Sequence, residues 1–270
     1  MMSSDSELSA VAAIEAGQLL LDLRATYGDL DPADTDTANR LRKEADRASH
    51  LLIVDRLGSA RPNDCILSEE GKDDLARLEA DRVWIVDPLD GTFEFGQGRS
   101  DFAVHIVLWV RDESSPTGGR LEASTVDLPA QKLTRTDTDP TDVAFALPTD
   151  RPIRIVASRS RAPKWLPAAV VTLAERLGRE VEVIDVGSVG AKVNEILCGR
   201  ADAYVHDTGF YEWDVAAPYA IAHRYGLHAS HVDGAPIVFN ADPPYVNSLL
   251  ISIPPLLSDL RVVFAESSAS

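Results

Sequence analysis

A short apolar run that ends in acidic residues limits the folds open to this chain more than any other feature. Val83–Val86 (VWIV) has the length and composition of a buried strand, and the hexapeptide Asp87–Thr92 (DPLDGT) follows it directly. Pro88 fixes the backbone of the turn, so the carboxylates of the hexapeptide can converge on one point. Gly91 has no side chain, so a ligand can approach the backbone there.

Two interpretations of the hexapeptide fit its residues. In the first, Asp87 and Asp90 hold a cation, while the amides of Gly91 and Thr92 point at an anion. In the second, the hexapeptide is an ordinary strand-to-helix turn in which Asp90 caps the next element. Two acids beside an apolar strand have no obvious structural purpose, which favours the first interpretation.

Further acids follow or begin other predicted elements. Glu69 and Glu70 come after the short strand Cys65–Leu67, and Asp214 lies at the start of a predicted helix. Each has a structural explanation when it is taken singly: a solvated loop for the glutamates and a helix N-cap for Asp214. Mg²⁺, however, usually binds between one or two carboxylates and a substrate phosphate. Carboxylates from several strand ends and helix starts are what a phosphate site with two or three ions requires.

The charge and cysteine content narrow the classes of partner and the compartment. The 270 residues carry a net charge of −17, which repels phosphate backbones and anionic lipid, so we expect neither nucleic acid nor a membrane surface as partner. An anionic substrate would need bound cations. Cys65 and Cys198 are the only cysteines, and two distant thiols are typical of a reduced protein. Met1–Leu8 lacks the features of a secretory signal, so we expect a cytoplasmic location.

The order of the predicted elements indicates alternating layers of helices and sheets. Ser4–Glu7 fits a capping box for a helix over Glu7–Thr26, and a second helix ends at Gly58. The strand Phe102–Val110 is apolar nearly throughout, so we expect both of its faces to be covered. Strands then alternate with helices beyond the candidate linker Pro148–Pro152. The strands are Ile153–Ala157, Val181–Asp185 and Ala203–His206, and the helices are Pro163–Leu177, Ser188–Leu197 and Asp214–Tyr225.

Three segments resemble the signatures of the inositol monophosphatase superfamily, which comprises lithium-sensitive, Mg²⁺-dependent phosphatases. They are Glu69, Asp87–Thr92 and Trp213–Ala217 (WDVAA), and they occur in the order that the superfamily has. Within the superfamily, Ile66–Glu70 and Glu212–Asp214 are most similar to the bacterial 3′(2′),5′-bisphosphate nucleotidases, especially the actinobacterial CysQ-type enzymes. The resemblance covers most of the chain.

The resemblance implies a fold of the α+β class, a layered αβαβα sandwich with mixed sheets. Residues 1–150 would form an N-terminal α+β half that carries Glu69 and the hexapeptide. Residues 151–270 would form a C-terminal α/β half that carries Gly187, Ser188 and Asp214.

The resemblance also implies the ligands of two or three Mg²⁺ ions. Glu69, Asp87 and the carbonyl of Leu89 would hold the first ion. Asp87, Asp90 and Asp214 would hold the second, so that Asp87 bridges the two. A third, loosely held ion would lie near Glu69.

Three residues would be catalytic according to the same resemblance: Asp46, Thr92 and Glu69. Asp46 lies on the second helix and matches the family acid that hydrogen-bonds Thr92. A threonine hydroxyl held by a carboxylate can accept a proton from the attacking water and orient it. Without the family pattern, Asp46 is an exposed helix acid beside Lys43 and Arg47.

The substrate contacts implied by the resemblance come from both halves of the chain. Gly187 and Ser188 open a helix, whose amides and hydroxyl suit a phosphate or ribose, although Ser188 is equally suited to an ordinary N-cap. The loop Ala157–Ser160 resembles a family substrate loop in which Arg161 replaces a histidine, and the family lysine is displaced to Lys192. The expected contacts are Glu69, Leu89, Asp90, Gly91, Thr92, Ser158, Gly187, Ser188 and Asp214.

The resemblance implies hydrolysis of the 3′-phosphate of adenosine 3′,5′-bisphosphate to AMP and phosphate, a step of sulfate assimilation. It allows for a homodimer. One alternative on the same scaffold is a phosphatase for inositol 1-phosphate or a sugar phosphate such as fructose 1,6-bisphosphate. A different class is a cation-binding interaction protein without chemistry, in which Asp46 and Thr92 would have no purpose.

Overall fold

A five-stranded sheet, in the order β1-β2-β3-β4-β5, carries the acidic hexapeptide in this computed structural model, which describes residues 3–31, 33–141, 143–159 and 161–268. β1 and β2 are parallel and the other pairs are antiparallel, so the sheet is mixed. The strands are β1 (Cys65–Ser68), β2 (Arg82–Asp90), β3 (Ala103–Arg111), β4 (Gly119–Leu128) and β5 (Leu133–Thr136).

Both faces of this sheet are covered, as the apolar strand predicts. On β3, Val104 and Ile106 belong to one core, while Ala103 and Val107 belong to the other. Successive side chains of a strand point to opposite faces, so a strand that is buried on both faces must be apolar throughout. The first core lies under two long helices, α1 (Asp5–Thr26) and α2 (Thr35–Ala60).

The ends of these two helices differ slightly from the predicted ones. Ser4 and Glu7 form the expected capping box, and a helix capped by Ser4 begins at the next residue, Asp5. α2 continues past Gly58 to Ala60, because Gly58 does not adopt the left-handed backbone conformation of a helix stop.

The second sheet has the order β10-β12-β8-β6-β7 and is also mixed, since β6 pairs parallel with β7 and β8 and the other pairs are antiparallel. Its strands are β6 (Ile153–Ala157), β7 (Val181–Asp185), β8 (Ala203–His206), β10 (His228–Ser230) and β12 (Leu249–Ser252). A small ribbon joins β9 (Phe210–Tyr211) to β11 (Tyr245–Val246). The three predicted strands of this region are confirmed.

The remaining helices are α3 (Thr92–Gly96), α4 (Leu166–Leu177), α5 (Val189–Leu197), α6 (Glu212–Arg224) and α7 (Leu257–Ser268). Of these, α4, α5 and α6 start at slightly different residues from those predicted, and α3 and α7 were not predicted. α4 starts three residues after Pro163, which forms a preceding turn, and α5 starts one residue after its cap, Ser188. α6 starts two residues before Asp214.

Layers of helix and sheet alternate through the molecule. α1 and α2 lie outside the first sheet, α5 and α6 contact strands of both sheets, and α4 packs on β7 and α7 beyond the second sheet. The predicted αβαβα sandwich is therefore confirmed. The division near residue 150 stays a prediction, although each sheet takes its strands from one side of it. None of the described helices is long and apolar enough to cross a membrane.

Candidate active site

A cavity of about 910 Å³ opens where β1, β2, β6 and β8 end and where α5 and α6 begin. Strand ends and helix starts from both halves of the chain meet there, so acids that are more than 140 residues apart in sequence share one wall. Nine of the residues expected at the site line this cavity. They are Glu69, Asp87, Leu89, Asp90, Gly91, Thr92, Ser158, Gly187 and Asp214.

Two carboxylates of the hexapeptide are held in defined orientations. Asp87 is 1% exposed, and its Oδ1 accepts a hydrogen bond from the Leu89 amide at 2.9 Å. Asp90 Oδ2 accepts from the Val189 amide at 2.5 Å, at the start of α5. No described residue hydrogen-bonds the other Asp87 oxygen, Oδ2, which is buried. A buried carboxylate oxygen without a donor requires another partner.

The carboxylates of the cavity raise one another's pKa. Burial, followed by the charges of Glu69, Asp90 and Asp214, raises the pKa of Asp87 well above its usual range. Burial and the charge of Asp90 raise the pKa of Asp214 to about 8. Burial and the charge of Asp46 raise the pKa of Glu69 to about 7. Like charges in a buried site cannot all ionise without a compensating cation.

The donor set suits a hard divalent cation. Every expected ligand is an oxygen: the carboxylates of Glu69, Asp87, Asp90 and Asp214 and the carbonyl of Leu89, all of which line the cavity. The unpartnered Asp87 Oδ2 supplies a free ligand atom. The residues present therefore fit Mg²⁺.

His105 lies next to this acidic group and is a core residue. It is 0% exposed, and its Nε2 lies 3.6 Å from Asp90 Oδ2. One ligand atom each of Asp87, Asp90 and His105 lie within 4.8 Å of one another. Burial lowers the pKa of His105, so the imidazole is neutral and does not compensate the carboxylates.

The expected hydrogen bond between Asp46 and Thr92 is not present, which corrects the sequence interpretation. The Thr92 hydroxyl instead donates to the Leu89 carbonyl at 3.0 Å, because Thr92 begins α3 and the carbonyl three residues earlier is within its reach. Asp46 does not line the cavity. It lies near the acidic group, since its charge raises the pKa of Glu69, and burial and the charge of Glu70 raise the pKa of Asp46 itself to about 7.

α2 nevertheless holds the hexapeptide through a different residue. The Ser49 hydroxyl donates to the Pro88 carbonyl at 2.8 Å, and Ser49 is 0% exposed. A buried carbonyl in a tight turn has few other donors, so this bond fixes the turn against the helix.

Ser49→Ala is expected to lower the free energy of unfolding by about 1–2 kcal/mol, because it leaves the Pro88 carbonyl buried without a donor. Urea unfolding measures the change. Ser252→Ala is the matched control, since Ser252 is equally buried but its hydroxyl has no hydrogen-bond partner among the described residues. Equal losses in both variants would show that the bond to Pro88 contributes nothing.

Ser188 is a helix cap and does not line the cavity, so its expected contact with substrate stays a prediction. Its hydroxyl accepts from the Ala191 amide at 2.9 Å, so the alternative interpretation is the one observed. Gly187 does line the cavity, and its amide donates to Asp101 Oδ2 at 2.8 Å. A Cβ on Gly187 would lie 2.5 Å from the Asp101 carbonyl oxygen, so only glycine fits. Asp101 itself escaped the sequence analysis, because it belongs to no motif.

Ser158 lines the cavity beside the end of β6, whereas Ser160 of the same loop lies outside the described residues. His206, for which the sequence suggested no role, also lines the cavity. Its ring stacks on Phe210 with centroids 4.3 Å apart, and burial lowers its pKa to about 4. It is therefore a neutral part of the wall.

Aromatic side chains form the outer wall of the cavity. The rings of Tyr211 and Trp213 stack with centroids 4.6 Å apart, and Tyr245 meets Tyr211 edge-on at 5.6 Å. Tyr211 is 48% exposed and Tyr245 is 43% exposed, although both line the cavity. Sequence reasoning missed this wall because it depends on the pairing of β9 with β11, which lie more than 30 residues apart.

Comparisons with known proteins identify the family of this chain. The sequence model of the inositol monophosphatase family matches residues 3–260. A Mycobacterium bovis protein named 3'-phosphoadenosine 5'-phosphate phosphatase is 42% identical over 242 residues, which are 88% of this chain and 84% of that protein. The Mycobacterium leprae protein of the same name is 39% identical over 270 residues, 97% of this chain and 95% of that one.

A solved structure shows the same architecture. CysQ from Bacteroides thetaiotaomicron, described as a bacterial member of the inositol monophosphatase family, has a TM-score of 0.66 at 27% identity. The match covers 91% of this chain and 96% of that one. The family match extends over nearly the whole sequence, and the resemblance inferred from the motifs is confirmed. This chain belongs to the inositol monophosphatase family.

Proposed function

We propose that this protein is a Mg²⁺-dependent phosphatase that removes the 3′-phosphate of adenosine 3′,5′-bisphosphate, giving AMP and phosphate. The observation that carries the proposal is the group of four carboxylates that line one cavity, with a buried oxygen of Asp87 to which no described residue donates a hydrogen bond. The mycobacterial relatives, which are 39–42% identical, bear the name of an enzyme for this substrate.

Glu69, Asp87, Asp90, Asp214 and the Leu89 carbonyl would hold the Mg²⁺ ions. When bound, Mg²⁺ neutralises phosphate charge and makes water a better nucleophile. In the site without a cation, burial and the charge of Asp46 raise the pKa of Glu69 to about 7, and a bound cation would displace the proton that Glu69 then carries.

Gly91 lets the phosphate approach the backbone at the start of α3. Its φ of +84° is a left-handed conformation that glycine adopts without strain. A Cβ there would lie 3.2 Å from Phe102 Cα and from the Asp101 carbonyl oxygen, so a larger residue would have to displace backbone. Glycine at position 91 therefore permits both the tight turn and the close approach of the phosphate to the backbone beside Asp90.

The aromatic wall favours a nucleotide over an inositol phosphate. Tyr211 and Trp213 offer flat apolar faces beside the acidic group. A nucleobase stacks on such faces, whereas an inositol ring is covered with hydroxyls and gains little from them.

The discriminating experiment compares kcat/KM for adenosine 3′,5′-bisphosphate and inositol 1-phosphate in Mg²⁺. We expect the nucleotide to be preferred by about 100-fold, from stacking and its second phosphate. A preference for inositol 1-phosphate would overturn the nucleotide assignment but keep the phosphatase. No phosphate release from either, nor from fructose 1,6-bisphosphate, would favour the cation-binding protein without chemistry.

Replacing Tyr211 tests the stacking directly. Tyr211→Leu is expected to raise the KM for the nucleotide about tenfold, because stacking on an aromatic face contributes on the order of 1–3 kcal/mol per base. Tyr211→Phe keeps the ring and should leave the KM nearly unchanged. If the leucine variant raises the KM for inositol 1-phosphate equally, Tyr211 supports the cavity wall and does not recognise a base.

Four expectations stay predictions. Two or three Mg²⁺ ions, inhibition by lithium, a homodimer and a cytoplasmic location follow from the family resemblance or from the sequence. The catalytic role of Asp46 is a further prediction, which now requires a route other than a direct bond to Thr92.

A further inference from the structure

A bend at residues 240–241 precedes β11, the strand that brings Tyr245 to the aromatic wall. Glu212, the first residue of α6, is 0% exposed, and its two carboxylate oxygens accept from the amides of Asn240 and Ala241, each at 2.7 Å. Hydrogen bonds from backbone amides to a carboxylate are among the stronger ones in proteins. The bend is therefore fastened to the start of α6.

Arg77 binds the same bend through its other polar groups. Arg77 is 1% exposed, and its guanidinium donates to the side-chain oxygen of Asn240 and to the Ala241 carbonyl, each at 2.8 Å. The side-chain amide of Asn240 donates back to the Arg77 carbonyl at 3.1 Å. Asn240 has a φ of +60°, a left-handed conformation that few residues other than glycine and asparagine adopt. Two buried charged side chains thus fix an uncommon backbone conformation.

The chain runs from this bend directly into the aromatic wall. The Glu212 amide donates to the Pro244 carbonyl at 3.0 Å, and Tyr245 then pairs with Tyr211 across the ribbon of β9 and β11. The Tyr245 ring meets Tyr211 edge-on, and its hydroxyl donates to the Thr208 carbonyl at 3.3 Å. Since Tyr211 is 48% exposed, its ring depends on such neighbours for a fixed position.

We infer that Glu212 and Arg77 are positioning residues for nucleoside recognition, which hold Tyr245, and through it Tyr211, at a fixed distance from the acidic group. This inference rests on the proposed function, in which Tyr211 stacks on the base. The start of α6 links the two sites, because the carboxylate of Asp214, an expected cation ligand, accepts from the Tyr211 amide at 2.8 Å. A base and a phosphate of one substrate can bind together only if this distance is kept.

The test compares a substrate that has a base with one that lacks it, adenosine 3′,5′-bisphosphate and inositol 1-phosphate. Glu212→Gln keeps the shape but replaces one acceptor oxygen with an amide nitrogen, which cannot accept from the bend. The variant should raise KM for the nucleotide about fivefold and leave kcat within about twofold of the wild-type value, because the expected cation ligands are unchanged. KM for inositol 1-phosphate should change by less than about twofold.

Arg77→Lys reaches the bend from a different part of the chain, so it cannot act through the first turn of α6. It keeps the charge but loses the paired donors, and it should raise KM for the nucleotide alone, as Glu212→Gln does. Asp202→Asn is the matched control, since Asp202 is 2% exposed and its carboxylate also accepts from an arginine side chain and a backbone amide, those of Arg151 and Arg154. Asp202 precedes β8, whose other end meets the cavity, and its replacement should change KM for neither substrate.

A double-mutant cycle shows whether Glu212 acts through Tyr245. Tyr245→Leu should raise KM for the nucleotide about fivefold, and adding Glu212→Gln should raise it no further, because the ring that Glu212 positions is gone. If Glu212→Gln does not fold, Arg77→Lys replaces it in this cycle and in the substrate comparison.

Additive effects on KM, equal increases for both substrates, or no increase for the nucleotide would overturn the inference while leaving the nucleotidase assignment intact. A fall in kcat for both substrates would overturn it as well, since Glu212 would then act through Asp214. A wild-type enzyme that releases no phosphate from adenosine 3′,5′-bisphosphate would overturn the proposed function, and this inference with it.

Discussion

Asp87→Asn is expected to lower kcat for phosphate release by about 1,000-fold or more, because a cation clamp on a phosphate contributes several kcal/mol to transition-state stabilisation. Asp87 is the most central acid of the site: it is 1% exposed, and the charges of Glu69, Asp90 and Asp214 all act on it. Asparagine keeps the shape but removes the charge. Initial rates at saturating Mg²⁺ and substrate measure the effect.

The same substitution is expected to stabilise the protein in EDTA. Removing one of several crowded like charges relieves repulsion, so the melting temperature in EDTA near pH 8 should rise although activity is lost. Asp127→Asn is the matched control: Asp127 is also buried, but it lies on β4 and accepts from the Thr134 hydroxyl at 2.7 Å. The kcat of the Asp127→Asn variant should stay within about twofold of the wild-type value. An active Asp87→Asn enzyme would contradict the assignment of the site.

Mg²⁺ is expected to raise the melting temperature by about 10 °C near pH 8.5, and by much less near pH 5.5. The pKa values of Asp214 and Glu69 are raised to about 8 and about 7, from ordinary values of 3.8 and 4.5. In EDTA, the raised pKa values of Asp214 and Glu69 therefore contribute to the free energy of unfolding. This contribution is complete below about pH 4, and it is lost as the pH rises through about 7–8. Mg²⁺ competes with protons for the same oxygens, so its contribution grows over this range.

Differential scanning fluorimetry with Mg²⁺ or EDTA, across this pH range, measures the difference. Asp87→Asn should lose most of the shift, and Asp127→Asn should keep it. A shift that is independent of pH, or that is largest in acid, would mean that the ion does not bind these carboxylates.

The sequence predicted the strands and acids of the site because their signals are local. The apolar run before Asp87 predicted a buried strand, and the observed strand β2 contains this run and continues into the hexapeptide, to Asp90. After residue 150, β6, β7 and β8 have the expected bounds for the same reason, whereas β10, β12 and α7 were not predicted. β4 and β5 were missed, because their less apolar residues give no continuous run.

The contacts within the site could not be predicted in the same way. The sequence allows the Thr92 hydroxyl to donate either to Asp46 or to the Leu89 carbonyl, because the choice depends on atomic positions that the sequence does not reveal. Ser188 fitted both a cap and a ligand, and the choice depends on how α5 faces the cavity. The aromatic wall of Tyr211, Trp213 and Tyr245 depends on the pairing of β9 with β11, which no spacing in the sequence reveals.

The most direct test of the account identifies the nucleoside product formed from adenosine 3′,5′-bisphosphate, by chromatography, with Mg²⁺ and with EDTA. The account predicts one equivalent each of inorganic phosphate and AMP in Mg²⁺, and neither in EDTA. Adenosine 3′-monophosphate as the product, or release that persists in EDTA, would contradict it.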